Sequence, residues 1–185
     1  MDASGSVGSH WDSEKILVNK LAREINISPT GGHAAVTMFS SKTNDHPAAE
    51  LVVKFPKHTT FSTFEADVNA LPYWGGSAQL DQGMEVALKE MFHESNGMRP
   101  TAPKTLVLIT DGQQSGVNYG AMAKLFRDAE VRVITIGIGN ANKQDLRDLV
   151  AVESDFHLAN DFVVLLNDSF IKSISLCDGM LLHIV

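Results

Sequence analysis

Cysteine is nearly absent: Cys177 is the single one in 185 residues. That excludes an internal disulfide framework and a four-cysteine zinc site, and leaves the compartment open, since a lone thiol can pair outside this segment. Cationic residues are also scarce. Fifteen Lys and Arg against 22 Asp and Glu give a net charge of −7; with no basic cluster, this argues against nucleic acid and anionic membranes as partners. No apolar run is long enough to span a bilayer. Residues 1–6 do not read as a signal peptide, so a secretion signal would lie outside this segment. No Gly-x-Ser-x-Gly elbow surrounds Ser4, Ser6 or Ser77, and the seven histidines form no His-x-x-x-His pair. Without a nucleophile and base arrangement, an enzyme is not expected. What is present, 44% hydrophobic and 20% charged residues without repeat or linker, is the composition of one globular domain over residues 1–185.

Strand and helix patterns alternate. Residues 11–25 carry Trp11, Ile16, Leu17, Val18, Leu21, Ala22 and Ile25 at helical spacing, and glycines follow. Residues 33–39 and 51–55 read as strands joined by a polar turn, hence an antiparallel hairpin. Helices are expected over 61–71, 79–92, 119–129, 144–152 and 162–176. The continuous apolar run 106–109 reads as a buried central strand, 131–138 as another, and 156–158 as a short edge strand. The expectation is an α/β fold: a doubly wound, Rossmann-like, mostly parallel sheet with one antiparallel edge strand and helices on both faces. In such sheets, ligands bind beyond the carboxyl ends of the strands. That selects the loops at 2–6, 75–78, 111–115 and 137–142. The last of these, Gly137-Ile138-Gly139, lacks the third glycine and the acidic ribose partner of a dinucleotide fingerprint, and reads as a tight turn.

Asp2, Ser4 and Ser6 alternate in the first loop, which aims three oxygen side chains at one spot if the backbone is extended. Asp111 ends a strand at the same edge. Two carboxylates and two hydroxyls suit a hard divalent cation; equally, Asp2 and Ser4 are good caps for the first helix. Asp2-x-Ser4-x-Ser6, the Gly75-Gly76 turn before a helix, and Leu108-Ile109-Thr110-Asp111-Gly112 resemble the von Willebrand factor type A (VWA) domain. So do the segments 71–76, 80–82 and 133–139 in order and spacing, so the resemblance runs through nearly the whole chain. It implies a metal-ion-dependent adhesion site (MIDAS) in which Asp2, Ser4, Ser6 and Asp111 hold Mg2+ (or Mn2+ or Ca2+) and a partner Glu or Asp fills the open position. It further implies a secreted extracellular-matrix module for cell adhesion or matrix assembly, with a matrix protein such as collagen as partner. Where the family places Thr after the Gly-Gly pair, this chain has Ala78, which cannot ligate. Ser77 stands one position early and would need a shifted loop to contribute. A metal-independent scaffold with a degenerate site, or an intracellular complex-assembly subunit, are the alternatives. Trp74, beside the metal loop, is a candidate partner contact.

The family's apolar strand leading into Asp-x-Ser-x-Ser does not precede Asp2, while residues 180–185 form a strand pattern after the last helix. Read tail to head, residues 180–185 and 1–6 match that first strand and its loop. Residues 180–185 are therefore expected to supply the central strand, by circular permutation or by strand exchange between neighbouring chains. A piece of a tandem array is the competing explanation, and residues 177–179 are the expected link.

Overall fold

The computed structural model describes residues 1–112, 114, 116–176 and 180–185. The expected link at 177–179, including Cys177, lies outside the described residues.

The strands are β1 (His33–Phe39), β2 (Ala49–Val53), β3 (Lys104–Thr110), β4 (Val131–Ile138), β5 (Phe156–Ala159) and β6 (Leu181–Ile184). They form one six-stranded sheet in the order β2-β1-β6-β3-β4-β5. Only β2 runs antiparallel, at one edge, and β5 closes the other edge in parallel with β4. The helices are α1 (Trp11–Arg23), α2 (Phe61–Asn69), α3 (Leu80–Val86), α4 (Tyr119–Asp128), α5 (Lys143–Leu149), α6 (Phe162–Leu165) and α7 (Asp168–Ser173).

Both faces of the sheet are covered, which is why its central strands are apolar throughout rather than alternating. Along β3, Val107 and Ile109 turn to one layer with residues of α1, α2, α6 and α7, whereas Leu106 and Leu108 turn to the other with residues of α3, α4 and α5. This is the two-residue period of a strand applied to two cores. Helix α3 approaches the sheet closely at Gly83, where a Cβ would stand 2.8 Å from the Phe39 ring and 2.9 Å from Val185 Cγ1.

Several boundaries differ from the sequence expectation, each for a local reason. The hairpin strand expected at 51–55 lies at Ala49–Val53, and Phe55 opens a 3-10 turn with Pro56; proline has no N–H to give a ladder. The helix expected at 162–176 is two helices, because Asp161 and Asn167 each cap an N-terminus: Asp161 accepts from the Val164 amide and Asn167 from the Ser169 amide. The helix expected at 79–92 is α3 followed by one π-turn over Ala87–Met91. Ile16, expected on the core face of α1, is 44% exposed, whereas Glu14 is fully buried.

Residues 180–185 are buried, and β6 fills the slot between β1 and β3 of its own chain. The register that pairs Val36 with Ile184 reaches Asp2 opposite Phe39, with Val185 and Met1 filling the two positions between. Met1 accepts from the Phe39 amide and Ala3 donates to the Phe39 carbonyl. Thus β6 and residues 1–3 are two segments of one line of strand, and the first loop leaves the sheet where the sequence placed it.

Candidate metal centre

The first loop starts at the carboxyl end of this central line, beside the end of β3. Asp2 lies buried at its base, Ser4 is buried, Ser6 is exposed and Asp111 is half-buried at the rim. Their oxygens form a linked set. Ser4 Oγ is 3.1 Å from Ser6 Oγ, and Ser6 Oγ donates to Asp111 Oδ1 at 2.6 Å. Asp2 Oδ1 accepts from the Ser4 amide at 3.0 Å and Asp2 Oδ2 from Thr110 Oγ1 at 2.8 Å. Neighbouring oxygens around a magnesium ion with bonds of about 2.1 Å lie about 3 Å apart in an octahedron. The two serine hydroxyls and Asp111 already stand at close to that spacing. The donor set therefore fits a hard cation, with Asp2 oriented behind it by Thr110.

The electrostatics point the same way. Burial pushes the Asp2 carboxyl above the usual carboxylate range, opposed by its hydrogen bonds to Ser4 and Thr110, while the Asp111 charge raises it further. Glu14, beneath the loop, is pushed well above the usual range by burial; the N-terminal ammonium counters this, and the charges of Asp2 and Asp111 add to it. The Asp111 charge thus adds to the raised proton affinity of Asp2 and Glu14, and a divalent cation between Asp2 and Asp111 would relieve that repulsion. Among the described residues there is no group of three or more His, Cys, Asp and Glu suited to a metal. The hydroxyls would thus be part of any donor set at this edge.

A second loop braces the first. The Gly75 amide donates to the Ala3 carbonyl at 2.8 Å, the Gly5 amide to the Gly76 carbonyl at 2.6 Å, and Tyr73 Oη to the Ser4 carbonyl at 3.1 Å. Gly76 has φ +85°, and a Cβ there would lie 2.2 Å from Ser41 Oγ; only glycine fits. Ser77 is exposed, and its amide is held by Ser41 Oγ at 3.2 Å. Among the described residues its hydroxyl makes no hydrogen bond to the metal loop. Ala78 instead faces the site: a Cβ placed on Gly112 would lie 3.2 Å from Ala78 Cβ and 3.6 Å from Asp2 Oδ2. The position that the resemblance gives to Thr is filled by the Ala78 methyl group.

Trp74 is half-buried and stacks on His46, ring centroids 4.3 Å apart at 7°. On the other flank His10 stacks on Phe162 at 4.7 Å and 6°. A cleft of about 510 Å³ lined by Ile16, Lys20, Arg23, Glu65, Asp168 and Lys172, among others, includes none of the metal-loop residues. Sequence reasoning missed Thr110 and Glu14. Thr110 was signalled by its place between a buried apolar run and Asp111. Glu14 was signalled by its place at i+3 from Trp11 and i−4 from Val18, on the apolar stripe of α1.

The von Willebrand factor type A domain family matches residues 1–172, and the chain belongs to it. Cuticlin-6 of Caenorhabditis elegans is 30% identical over 141 residues, 76% of this chain and 23% of its own length. The collagen alpha-1(XII) chain of Notophthalmus viridescens is 28% identical over 169 residues, 90% of this chain and 18% of its own. Matrilin-1 of Gallus gallus is 23% identical, covering 90% and 33%. The chain thus spans a third or less of each of these relatives. Among solved structures, proximal thread matrix protein 1 from the mussel byssus superimposes with a TM-score of 0.83 at 21% identity, over 94% of this chain and 45% of that one. The same protein has been solved with a zinc-occupied MIDAS motif. Manganese-loaded Plasmodium vivax TRAP protein gives a TM-score of 0.69 at 19% identity, over 92% and 70%. These likenesses establish the fold. No helix among the described residues is long and apolar enough to cross a membrane.

Proposed function

We propose that this domain is a non-enzymatic, extracellular matrix-assembly or adhesion module that binds a protein partner through a divalent cation. Asp2, Ser4, Ser6 and Asp111 would hold the ion, Mg2+ being the best fit to an all-oxygen set. The observation that carries this reading is the linked hydroxyl and carboxylate set at the sheet edge, with Ser6 and Asp111 open to solvent and Asp2 locked behind them. Matrix proteins among the relatives support the setting. The bound cation supplies an attraction for a carboxylate of the partner, and Trp74, Tyr73 and His46 give the rim an aromatic surface for the partner's flanking residues. A collagen-like matrix protein with an accessible Glu or Asp is the proposed partner class.

Ala78 favours a second reading, a scaffold that binds through its sides without metal. The two separate in one binding assay. The immobilised domain is offered matrix proteins, collagens included, in Mg2+ and in EDTA, with an Asp111→Ala variant alongside. Capture that needs both Mg2+ and Asp111 supports the metal-dependent module. Capture equal in EDTA and in the variant supports the scaffold.

A further inference from the structure

The parallel ladder along the central line sets an expectation for each amide. Val185 donates to the Val107 carbonyl and accepts from the Ile109 amide, at 2.9 and 2.8 Å. Two positions further along the same line, the Asp2 amide should donate to the Ile109 carbonyl. It does not. It donates to Glu14 Oε1 at 2.7 Å, a side chain that reaches up from α1. Glu14 is fully buried on the apolar face of that helix, between Trp11 and Val18. Its second oxygen, Oε2, has no hydrogen-bond partner among the described residues. The N-terminal ammonium takes the Thr37 carbonyl at 2.7 Å, and no ion pair joins it to Glu14 among the described residues.

A buried carboxyl group with one idle oxygen weakens a core. A residue of that kind at a helix position suited to an apolar side chain is explained by what its other oxygen does. Here it replaces a main-chain acceptor at the residue where the strand must leave the sheet. The Asp2 amide is held off β3, and the Asp2 side chain turns to Thr110 and the Ser4 amide rather than continuing a ladder.

We propose that Glu14 is a positioning residue for the metal loop: by taking the Asp2 amide from the β3 ladder, it sets the departure of the loop and the facing of Asp2, at the expense of core stability. This rests on the metal-binding reading above. It goes beyond the four ligands by assigning the loop's geometry to a residue of α1.

Two variants test it. Glu14→Gln keeps an oxygen for the Asp2 amide, and Glu14→Met keeps the side-chain volume but removes the acceptor. Each is compared with the unaltered protein for melting temperature in EDTA and for Mg2+ and Mn2+ affinity by calorimetry. The expected result is a split. Glu14→Met melts roughly 2–4 °C higher in EDTA yet binds metal at least tenfold more weakly, while Glu14→Gln binds within about threefold of the unaltered protein. A residue that only supports the fold would move stability and affinity together. Unchanged metal affinity in Glu14→Met, or a fall in its EDTA stability, overturns the positioning role. Absence of metal binding in the unaltered protein overturns the metal reading itself, and this role with it.

Discussion

Joining Val185 to Met1 through a peptide bond, in a chain that runs from residue 180 through 185 and on from residue 1 to 176, should stabilise the domain in a pH-dependent way. Val185 and Met1 occupy successive positions of one strand line, so the join needs no rearrangement of β6 or of the metal loop. The join removes both termini, the Met1 ammonium and the Val185 carboxylate, from the core, and of the two the ammonium titrates between pH 5 and 8. The Met1 ammonium is fully buried, and burial lowers its pKa from 8.0 to about 5, against the favourable charges of Glu14 and Asp2. Between those values the unfolded chain holds a proton that the folded chain does not, so stability rises with pH from about 5 to 8 and is flat above 8. Three units correspond to ~4 kcal/mol at pH 5 and below, and one unit to roughly 1 kcal/mol at pH 7. The joined chain has no such ammonium. Its advantage in urea unfolding should therefore be about 4 kcal/mol at pH 5, shrink to about 1 kcal/mol at pH 7, and vanish from this source above pH 8. An advantage independent of pH, or a joined chain less stable at pH 5, would refute the reasoning.

Three further outcomes follow from the packing and the site. His183 is fully buried in β6, and burial, with the nearby ammonium, holds its pKa well below the ordinary value of 6.5. The unfolded chain takes up a proton below pH 6.5 that the folded chain refuses, so stability should fall as pH drops through 6.5, and His183→Gln should flatten that slope in unfolding measured from pH 7.5 to 5. Gly83→Ala puts a methyl group within 3 Å of Phe39 and Val185; despite better helix propensity it should lower stability by about 1–2 kcal/mol in urea titration, and an increase would contradict the close packing. Ala78→Thr returns a hydroxyl to the position facing Gly112 and Asp2, and calorimetry should show Mg2+ bound about tenfold more tightly, or ~1.4 kcal/mol.

Much of this architecture was legible in the sequence because the relevant signals are local. The apolar run at 106–109 and the alternating strand and helix patterns carry the sheet, since both faces are buried and length and turns mark the rest. The central place of residues 180–185 was legible from their match, read into Asp2, to an apolar strand entering an Asp-x-Ser-x-Ser loop. The helix boundary at Asn167 was missed, although Asn-Asp-Ser is a capping pattern, because the apolar residues on either side sustain a helical period. The four metal-loop residues were named from spacing and resemblance, and the structure brings all four together. That Ala78 rather than Ser77 faces the cluster depends on where Ser41 holds the glycine turn, a contact 36 residues distant in sequence. Glu14 was passed over because an apolar stripe is read by its hydrophobic members. A carboxylate on it draws notice only when its partner, the Asp2 amide, is known.

The most direct test of the account is a calorimetric titration of Mg2+ and Mn2+ into metal-stripped protein, with Asp111→Ala as the comparison. The linked set of Asp2, Ser4, Ser6 and Asp111 predicts saturable binding at one site in the unaltered protein, lost in the variant because half of the carboxylate donors are gone. No heat of binding in the unaltered protein at millimolar metal, or equal binding in Asp111→Ala, would contradict a metal centre at this sheet edge.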